Sequence, residues 1–484
     1  MKTNRREFLK GTAWMGAAAV AAGCCGTRWG FGEGGTMCGY AAPALKTVRV
    51  GLVGLGHRGP GAVHRVAMIP GVRVAALCDF RAERVDEQQK WLRDNGKPEA
   101  KSFSGPEGWK AMCAWDGIDV VYVVTDWTHH APIALEAMRC GKHAFVEVPA
   151  AMTLDECWEL VETSEATKRH CMQLENCCYG EEEMLGLNIV RLGLLGEIVH
   201  GEGAYIHDLR KHCYEDPKDG GYWNDWRLRW NIAHKGNQYA THGMGPICQY
   251  MNVNRGDAFD YLVSLESSQA NFECWAKRFV PEDSWKKRAK VEMADMNTTL
   301  VKTKLGRSIM VQHDVSSPRP YTRINLVSGT KGMFWGMPWR VYSGPSMMQV
   351  FLDDPTGQNA THKFMNDADR KAFRAKYRHP LWKTAGEIAK KVGGHGGMDF
   401  LMDLRWAYCL QNGLPLDMDV YDLATWCSVA ELSEKSVRGG SKPMSVPDFT
   451  RGGWKTAKPL GIVDVDMSRL DFRTVRKDEN QMNV

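Results

Sequence analysis

The sequence predicts an α/β protein whose folded part opens with a parallel sheet covered by helices. A glycine-rich turn joins an apolar strand pattern to a helical pattern over residues 48–67. Three more apolar strand patterns follow before about residue 150, and such alternation is typical of parallel βαβ units. The length of 484 residues and the hydrophobic fraction of 44% allow a large core divided into two domains.

Residues 1–23 have the features of a twin-arginine export signal. Arg5 and Arg6 precede a run of small and apolar residues that ends just before Cys24 and is too short to span a bilayer. A twin arginine is typical of the pathway that moves folded proteins, so we expect export to the periplasm or cell envelope. The small residues before Cys24 leave open whether a lipid is attached there, which would be the only membrane contact.

Composition excludes other classes of function. Residues 1–23 contain four basic side chains and one acidic side chain, so they supply +3 of the net charge of +5. Charges of both signs mix in the remainder without a Lys/Arg block, which argues against a nucleic-acid partner. The fifteen cysteines are dispersed, and the adjacent Cys177 and Cys178 lack the spacing of a zinc site. We therefore expect mostly free thiols packed in the core and no metal.

After a glycine-rich linker at residues 24–46, the first strand pattern leads into a phosphate-binding turn. The strand pattern Val48–Val53 is followed by Gly54, Gly56 and Gly59 in the spacing GxGxxG, and then by a helical pattern. The first glycine permits a tight turn, the second lets backbone N–H groups approach a pyrophosphate, and the third allows close helix packing. The motif predicts a dinucleotide site.

The second strand pattern ends in Asp79, which identifies the dinucleotide. Asp79 lies 20 residues after Gly59, where a carboxylate accepts hydrogen bonds from both hydroxyls of the adenosine ribose. Because that charge repels a 2′-phosphate, the sequence favours NAD over NADP, although Arg81 keeps NADP open as the alternative.

The next two strand patterns end in polar and aromatic residues, at Trp127–His130 and at Glu147 and Val148. Ligands bind at the carboxyl ends of parallel strands, so these residues are predicted to line the cofactor. His129 and His130 are adjacent and therefore point in different directions, which favours cofactor lining over metal binding.

To this point the chain resembles the superfamily of glucose-fructose oxidoreductase and inositol dehydrogenase. The resemblance implies a Rossmann NAD-binding domain at residues 47–172, followed at 173–484 by an α+β domain with a large open, mostly antiparallel sheet for substrate binding and oligomerisation. Those dehydrogenases usually carry Glu-Lys-Pro where this chain has Glu147-Val148-Pro149. The missing lysine weakens an assignment as an ordinary sugar dehydrogenase.

Motifs farther along resemble one branch, glycoside hydrolase family 109, whose known members are NAD-dependent α-N-acetylgalactosaminidases. These motifs are NCCYGEEEM, DWRLRW, NQYATHG, RPYTR and GGHGGMDF. The resemblance implies that the sugar is oxidised at C3, loses its C2 proton and its leaving group, adds water and is reduced again at C3. It also implies NAD that stays tightly bound because each turnover recycles it, and a homo-oligomer.

The resemblance carries over functional positions residue by residue. The positions implied for NAD are His57, Arg58, Asp79, Trp127, Thr128, His129, His130, Glu147, Val148, Asn176, Tyr239, Ala240, Thr241 and His242. The positions implied for the sugar are Tyr205, Arg227, Tyr239 and Tyr321. One departure is Ala240, where the family often has proline.

We interpret His242 as the leading base, because neutral imidazole titrates near working pH. Tyr239, Tyr179 and Glu147 are the further catalytic candidates, and for Tyr179 and Glu147 packing or ring orientation stays an open alternative. Among the other patterns, Glu181–Glu183 are predicted to be a solvated helix start. His395 could lie near the mouth of the active site, but its glycine neighbours favour a close-packed turn. Trp223, Trp226 and Trp230 share a helical spacing, which favours core packing over stacking on the sugar.

Two other functions stay open. The first is an NAD-dependent sugar or cyclitol dehydrogenase with an external electron acceptor. The second is a sugar-sensing or scaffold protein that holds the dinucleotide as a structural part.

Overall fold

The computed structural model describes residues 35–337, 348–353 and 363–470. The predicted export signal, Cys24 and the first part of the predicted linker lie outside these residues.

The first sheet has six parallel strands in the order β3-β2-β1-β4-β5-β6. The strands are β1 (Val48–Val53), β2 (Val72–Asp79), β3 (Lys101–Ser104), β4 (Val120–Val123), β5 (His143–Val146) and β6 (Cys171–Gln173). The strand order reverses between β1 and β4, so their carboxyl ends leave a crevice. This is the Rossmann arrangement that the sequence predicted.

Helices cover both faces of this sheet, which is why β4 and β5 are buried along their whole length. These helices are α1 (Gly59–Ala67), α2 (Ala82–Asp94), α3 (Gly108–Ala114), α4 (Trp127–Arg139) and α5 (Leu154–Thr167).

The second sheet has eight strands in the order β13-β12-β11-β7-β10-β9-β8-β14. Its strands are β7 (Ile198–Ile206), β8 (Phe259–Glu266), β9 (Asn297–Thr303), β10 (Ser308–Asp314), β11 (Ile324–Gly329), β12 (Gly332–Met337), β13 (Gln349–Leu352) and β14 (Met444–Ser445). All neighbouring pairs are antiparallel except β7 and β10, so the expected mostly antiparallel sheet is confirmed.

The remaining helices pack on one face of the second sheet or return to the first sheet. They are α6 (Glu181–Arg191), α7 (Arg210–Tyr214), α8 (Trp226–Ala233), α9 (Thr241–Met251), α10 (Asn271–Phe279), α11 (Asp367–Tyr377), α12 (Pro380–Val392), α13 (Met398–Asn412) and α14 (Val420–Arg438). Helix α13 crosses back, because Trp406 packs against Tyr122 of β4 and Asp403 accepts a 2.9 Å hydrogen bond from Arg65 of α1. The two sheets therefore share helices.

The other face of the second sheet is open. In β9 the side chains of Thr299 and Val301 are buried, whereas Leu300 between them is exposed. Leu265 and Tyr261 of the neighbouring β8 are also exposed. The alternation is the pattern of a sheet that is covered on one side.

The described part of the predicted linker, residues 35–46, is bound to the folded body. The Met37 N–H donates to the Tyr421 hydroxyl at 3.0 Å, and the Leu45 N–H donates to the Leu410 carbonyl at 2.9 Å. The Tyr40 hydroxyl donates to the Lys168 carbonyl at 2.8 Å.

The prediction of a solvated acidic helix start at Glu181–Glu183 is wrong for two of the three residues. Glu182 and Glu183 are buried, since α6 packs under the second sheet and against α11. Burial raises the pKa of Glu182 to about 7, and Glu183 is paired with Arg323 at 2.6 Å.

The described cysteines are all free thiols, and ten of the thirteen are buried. Only Cys274 among them is exposed. Within the same residues, no helix combines the length and hydrophobicity that crossing a bilayer requires.

Candidate active site

The glycine turn after β1 has the geometry of a phosphate cradle. Gly54 has φ +90°, and a Cβ added there would lie 2.4 Å from the Val124 carbonyl oxygen. A Cβ on Gly59 would lie 2.2 Å from the Gly54 carbonyl oxygen, whereas a Cβ on Gly56 would meet nothing within 4 Å. The neighbouring backbone therefore leaves room only for glycine at positions 54 and 59, whereas Gly56 faces open space.

Helix α1 leaves its N-terminal N–H groups available. Its N-cap residue, Arg58, makes no side-chain capping bond, and its first turn contains no acidic side chain. Free N–H groups and the helix dipole favour an anion at this point. The cradle and the helix end fit the pyrophosphate of a dinucleotide.

Asp79 lies at the end of β2, where the ribose of a dinucleotide is expected. Its Oδ2 accepts from the Leu55 N–H at 2.6 Å and its Oδ1 accepts from the Arg81 N–H at 2.9 Å. These bonds fix the carboxylate beside the glycine turn. The residues present therefore fit NAD.

Residues 212–223, which we call the covering segment, follow β7 and reach the nucleotide end of the crevice. The His57 ring centroid lies 5.7 Å from that of Tyr222 and 6.3 Å from that of His212. The Arg81 guanidinium lies 4.1 Å from the Trp223 ring centroid. Trp223 is 53% exposed, so the prediction that it is packed in the core is wrong.

The start of α4 lies at the carboxyl end of β4. Asp126 caps this helix by accepting from the Thr128 N–H at 3.1 Å, and the His129 ring pairs with the same carboxylate at 2.9 Å. The buried His130 ring instead contacts the Pro149 carbonyl at 2.8 Å. The two histidines have different partners and do not converge on one point.

Glu147, at the end of β5, belongs to a charged network beneath the glycine turn. Arg58 pairs with Glu147 at 2.9 Å and with Asp399 at 3.4 Å. Asn176 donates to Asp399 at 2.5 Å, and the His395 Nδ1 lies 2.9 Å from the same carboxylate. Burial would raise the pKa of Asp399, but His395, Arg58 and Arg65 outweigh it and hold that pKa well below its usual range.

Asp399 was not selected from the sequence, whereas its partner His395 was considered as a residue near the active-site mouth. The turn at His395 is glycine-rich, with Gly394 and Gly397 at positive φ, as expected. The His395 side chain also reaches Arg58 at 3.4 Å, so the turn contributes to the site. The glycines on both sides of His395 were the available signal.

The predicted sugar-contacting residues form an aromatic group beside the crevice. The ring centroids of Tyr205 and Tyr239 are 4.4 Å apart, and that of Tyr239 lies 5.8 Å from Trp127. The Arg227 guanidinium lies 5.0 Å from the Trp127 ring and 5.3 Å from the Tyr239 ring. Trp127 thus joins this aromatic group to the carboxyl end of β4.

Arg227 carries unused hydrogen-bonding capacity. Its side chain is only 6% exposed, and its Nη1 donates to the Tyr222 hydroxyl at 3.3 Å. Its Nε and Nη2 have no hydrogen-bond partner among the described residues. Buried N–H groups on a charged side chain are costly to leave unpaired, so this geometry favours an oxygen acceptor supplied by a ligand.

Tyr321 is held by a buried ion pair. Arg323 donates from Nη1 to the Tyr321 hydroxyl at 2.9 Å and from Nε to Glu183 at 2.8 Å. The Tyr321 ring centroid lies 5.0 Å from that of His207, whose Nδ1 is 2.9 Å from the Tyr205 hydroxyl. Tyr321 therefore belongs to the same group as Tyr205.

His242 lies at the start of α9 and faces the two tyrosines. Its ring centroid is 4.9 Å from that of Tyr239 and 5.4 Å from that of Tyr205. Its Nδ1 is 2.8 Å from the carboxylate of Glu175, a fully buried residue that the sequence analysis did not select. His242, Tyr205, Tyr239, Arg227 and Trp127 are thus brought together.

Comparison with known proteins decides the family. A family model described as "Glycosyl hydrolase 109, C-terminal domain" matches residues 179–456, and one described as "Oxidoreductase family, NAD-binding Rossmann fold" matches residues 48–174. "Glycosyl hydrolase family 109 protein 1" of Bacteroides thetaiotaomicron is 48% identical over 414 residues, which cover 85% of this chain and 86% of that protein. A family 109 protein of Shewanella pealeana is 45% identical over 471 residues, 96% of this chain and 100% of that protein. The chain belongs to glycoside hydrolase family 109.

The family 109 chain shares its fold with solved oxidoreductases. A levoglucosan dehydrogenase in complex with NADH and levoglucosan has a TM-score of 0.62 at 19% identity, covering 83% of this chain and all of that one. An oxidoreductase domain protein from Kribbella flavida has a TM-score of 0.63 at 16% identity, with the same coverage. The family 109 chain is therefore an enzyme of a glycoside hydrolase family with an NAD-binding Rossmann domain.

One predicted catalytic residue of the family 109 chain lies apart from the aromatic group. The Tyr179 hydroxyl donates to Asp417 at 2.9 Å, and Asp417 also accepts from Arg405 at 2.7 Å. Tyr179 is buried within the core, and burial raises the pKa of its hydroxyl well above the usual value. The Tyr179 hydroxyl is thus engaged by an ion pair, which favours packing among the two roles that the sequence left open.

Glu175, Cys177 and His242 of the family 109 chain lie close enough together to be compared with a metal site. The Cys177 thiol lies 3.6 Å from the Asn176 side-chain oxygen, and burial raises its pKa well above the usual value. The His242 Nδ1 lies 2.8 Å from the Glu175 carboxylate, so the contacts of the trio are those of a hydrogen-bonded histidine–glutamate pair beside a packed thiol.

Proposed function

We propose that this protein hydrolyses terminal α-linked N-acetylgalactosamine by an NAD-dependent redox-elimination route. The observation that carries the proposal is that Trp127 belongs both to the nucleotide crevice and to the aromatic group around Arg227 and His242. A sugar bound on that aromatic group would therefore lie beside the end of a dinucleotide in the crevice.

Bound NAD would supply a reversible oxidation at C3 of the sugar, which makes the neighbouring C2–H acidic. His242 would accept a proton at Nε2, which has no hydrogen-bond partner among the described residues. Tyr239, in ring contact with His242, would relay or donate a proton to the leaving oxygen. Glu147 is held by Arg58 and would orient the reacting groups.

Arg227 and the tyrosines would bind the sugar. The unpaired Nε and Nη2 of Arg227 can donate to the acetamide oxygen or to hydroxyl oxygens of an N-acetylated sugar. Tyr205, in ring contact with Tyr239 and Tyr321, would offer its ring face to the sugar beside them. Hydrolysis by two opposed carboxylates is a different arrangement, and NAD-dependent glycosidases are exceptions to it.

We also propose that NAD is tightly retained and is loaded before export. The covering segment supports retention, since it meets both His57 and Arg81 at the nucleotide end. A twin-arginine signal at Arg5 and Arg6 would allow the folded protein to leave with its cofactor. Export by this route to the periplasm or cell envelope is part of the proposal, and lipid attachment at Cys24, which the sequence leaves open, would be the only membrane contact.

The open face of the second sheet supports a homo-oligomer as a further part of this proposal. Leu300, Leu265 and Tyr261 are exposed on adjacent strands of that sheet. Exposed apolar side chains grouped in this way are typical of a surface that another subunit covers. Light scattering after size-exclusion chromatography would measure the subunit number.

An NAD-dependent sugar or cyclitol dehydrogenase is the second candidate, because the solved structures that share the fold are oxidoreductases. The two functions differ in what accumulates. Steady NADH formation at the expense of a free sugar would favour the dehydrogenase, whereas aglycone release without net NADH would favour the hydrolase.

The deciding experiment uses the purified protein without added cofactor. We expect it to release the chromophore from an α-N-acetylgalactosaminide and not from the matched β-anomer. We also expect deuterium from D₂O at C2 of the released sugar, because elimination removes that proton. Cleavage that is undiminished after the dinucleotide is removed, or for a substrate without hydrogen at C3, would contradict the proposal.

A further inference from the structure

Glu175 is the buried neighbour of the proposed base. It follows β6 directly, is 0% exposed, and its Oε1 lies 2.8 Å from the His242 Nδ1. The same oxygen accepts from the Cys177 N–H at 3.1 Å, which fixes the carboxylate. Its Oε2 has no hydrogen-bond partner among the described residues.

The backbone around both residues is shaped for this contact. A Cβ added to Gly245 of α9 would lie 2.9 Å from the Glu175 Cγ and 3.0 Å from the Cys178 Sγ. A Cβ added to Gly243 would lie 2.3 Å from the Ala204 backbone nitrogen of β7. The two glycines that follow His242 thus let its helix approach Glu175 on one side and β7 on the other.

The charge of Glu175 decides which nitrogen of His242 carries the proton. Burial alone would raise the pKa of Glu175, but its contacts with His242 and the Cys177 N–H hold that pKa below the usual value. An ionised carboxylate can only accept a hydrogen bond, so the Nδ1 of the facing ring must carry the proton. In the neutral ring, the lone pair is then on Nε2.

We propose that Glu175 is the positioning residue of the base: it fixes the Nδ1–H tautomer of His242 and aims Nε2 at the cleft of Tyr205 and Tyr239. This inference deepens the proposed function and rests on His242 being its base. A carboxylate serves this role better than an amide, because an amide can either accept from Nδ1–H or donate to a bare Nδ1. Only the charged side chain rejects the wrong tautomer.

The first test reads the tautomer without any substrate. Long-range ¹H–¹⁵N spectra of protein labelled at its histidines are recorded at mildly alkaline pH, and the His242 signal is identified by its loss in His242→Gln. We expect the Nδ1–H pattern in the wild type and in Glu175→Asp. We expect a mixture of tautomers in Glu175→Gln, and an unchanged Nδ1–H pattern there would overturn the proposal.

The second test separates positioning from folding by kinetics. In Glu175→Gln we expect kcat on the α-N-acetylgalactosaminide to fall about 100-fold or more, as expected for a mis-set tautomer, while KM and NAD content stay near wild type. Glu175→Asp should recover part of kcat. The matched control is Glu165→Gln, which removes a buried carboxylate that pairs with Arg451 and Tyr421 instead.

The outcomes distinguish this inference from the proposed function. A wild-type protein that cleaves no α-N-acetylgalactosaminide would overturn the proposed function, and the ring spectra would still decide the role of Glu175. Loss of NAD or a raised KM with unchanged kcat in Glu175→Gln would mean a merely structural role. Should Glu175→Gln fail to fold, the wild-type spectrum decides the question, because a mixture of His242 tautomers there would reject the proposal.

Discussion

The nucleotide end and the sugar end of the crevice are built from different kinds of groups. The nucleotide end is largely backbone: a glycine at φ +90°, a glycine facing open space, and the bare N-terminus of α1. The sugar end is made of side chains from distant positions, with Arg227 and Tyr239 facing Tyr205 and Tyr321. Backbone geometry requires particular residues at adjacent positions, whereas side chains can be brought together from distant positions. Mutations at the two ends should therefore have different effects.

The largest expected effect comes from substituting two glycines of the phosphate-binding turn. Gly54→Ala places a Cβ 2.4 Å from the Val124 carbonyl at a positive φ, so we expect a loss of roughly 3–5 kcal/mol of stability and of bound NAD. Gly56→Ala meets no protein atom, so its thermal stability should match wild type when both are free of nucleotide. Calorimetry and NAD content check both, and equal destabilisation would contradict the division of roles.

Arg227 should show the opposite behaviour. We expect Arg227→Met to lower kcat/KM for the α-N-acetylgalactosaminide by about 100- to 1,000-fold, because a ligand loses charged hydrogen bonds. NAD content should be unchanged. Arg229→Met is the matched control, since Arg229 is exposed and stacks on Trp285 at 4.7 Å. Similar losses in both variants would show that Arg227 acts through the fold.

The covering segment tests whether the two ends are independent. Removing the stack of Arg81 on Trp223 at 4.1 Å should cost about 1 kcal/mol, so Trp223→Ala should release NAD about fivefold faster. Trp285→Ala removes a comparable stack on Arg229 away from this contact and should leave the release rate unchanged. Release is followed by trapping free NAD, and identical rates in wild type and Trp223→Ala would reject a retaining role.

The smallest effect at neutral pH concerns two histidines near the sugar end. Burial is the first cause that lowers the pKa of His207 to about 4 and that of His313 to about 3, with Arg227 adding to both. A histidine with a lowered folded pKa stabilises the fold above its ordinary pKa of 6.5 and loses that contribution as pH falls toward the folded value.

We therefore expect unfolding stability to fall between pH 6.5 and about 4. In His207→Gln, the slope of the unfolding free energy against pH in that range should be smaller, by the equivalent of up to about one bound proton. Denaturant titrations across the pH range measure it. A slope that is the same in His207→Gln and wild type would show that His207 is not among the groups responsible.

The sequence predicted the nucleotide end because its requirements are local. Gly54, Gly59 and Asp79 act within one βαβ unit, and their spacing alone indicates the turn and the ribose position. The parallel sheet followed from the same alternation. The second sheet and the sugar-contacting tyrosines came from the family resemblance, because no local rule assigns them.

The missed residues act across long stretches of chain. Glu175 meets His242 67 residues later, and Asp399 meets Arg58 341 residues away, so neither leaves a local pattern. Glu183 resembled a surface residue because its partner Arg323 is 140 residues away. The short 3₁₀ helix Asn176–Tyr179 directs its first residue to Asp399 and its last to Asp417, and no local pattern indicates that the two side chains have different partners.

The buried thiols bear on the proposed export of the protein from one compartment to another. Burial raises the pKa of Cys78, Cys213, Cys409 and Cys427 to about 12, so oxidants meet neither a thiolate nor an open path. Passage from reducing to oxidising surroundings would then leave the covalent chain of the described body unaltered. The shape of the described body would depend on no catalyst of cystine formation at the destination, and among its cysteines the exposed Cys274 should be the first to join molecules on ageing in air.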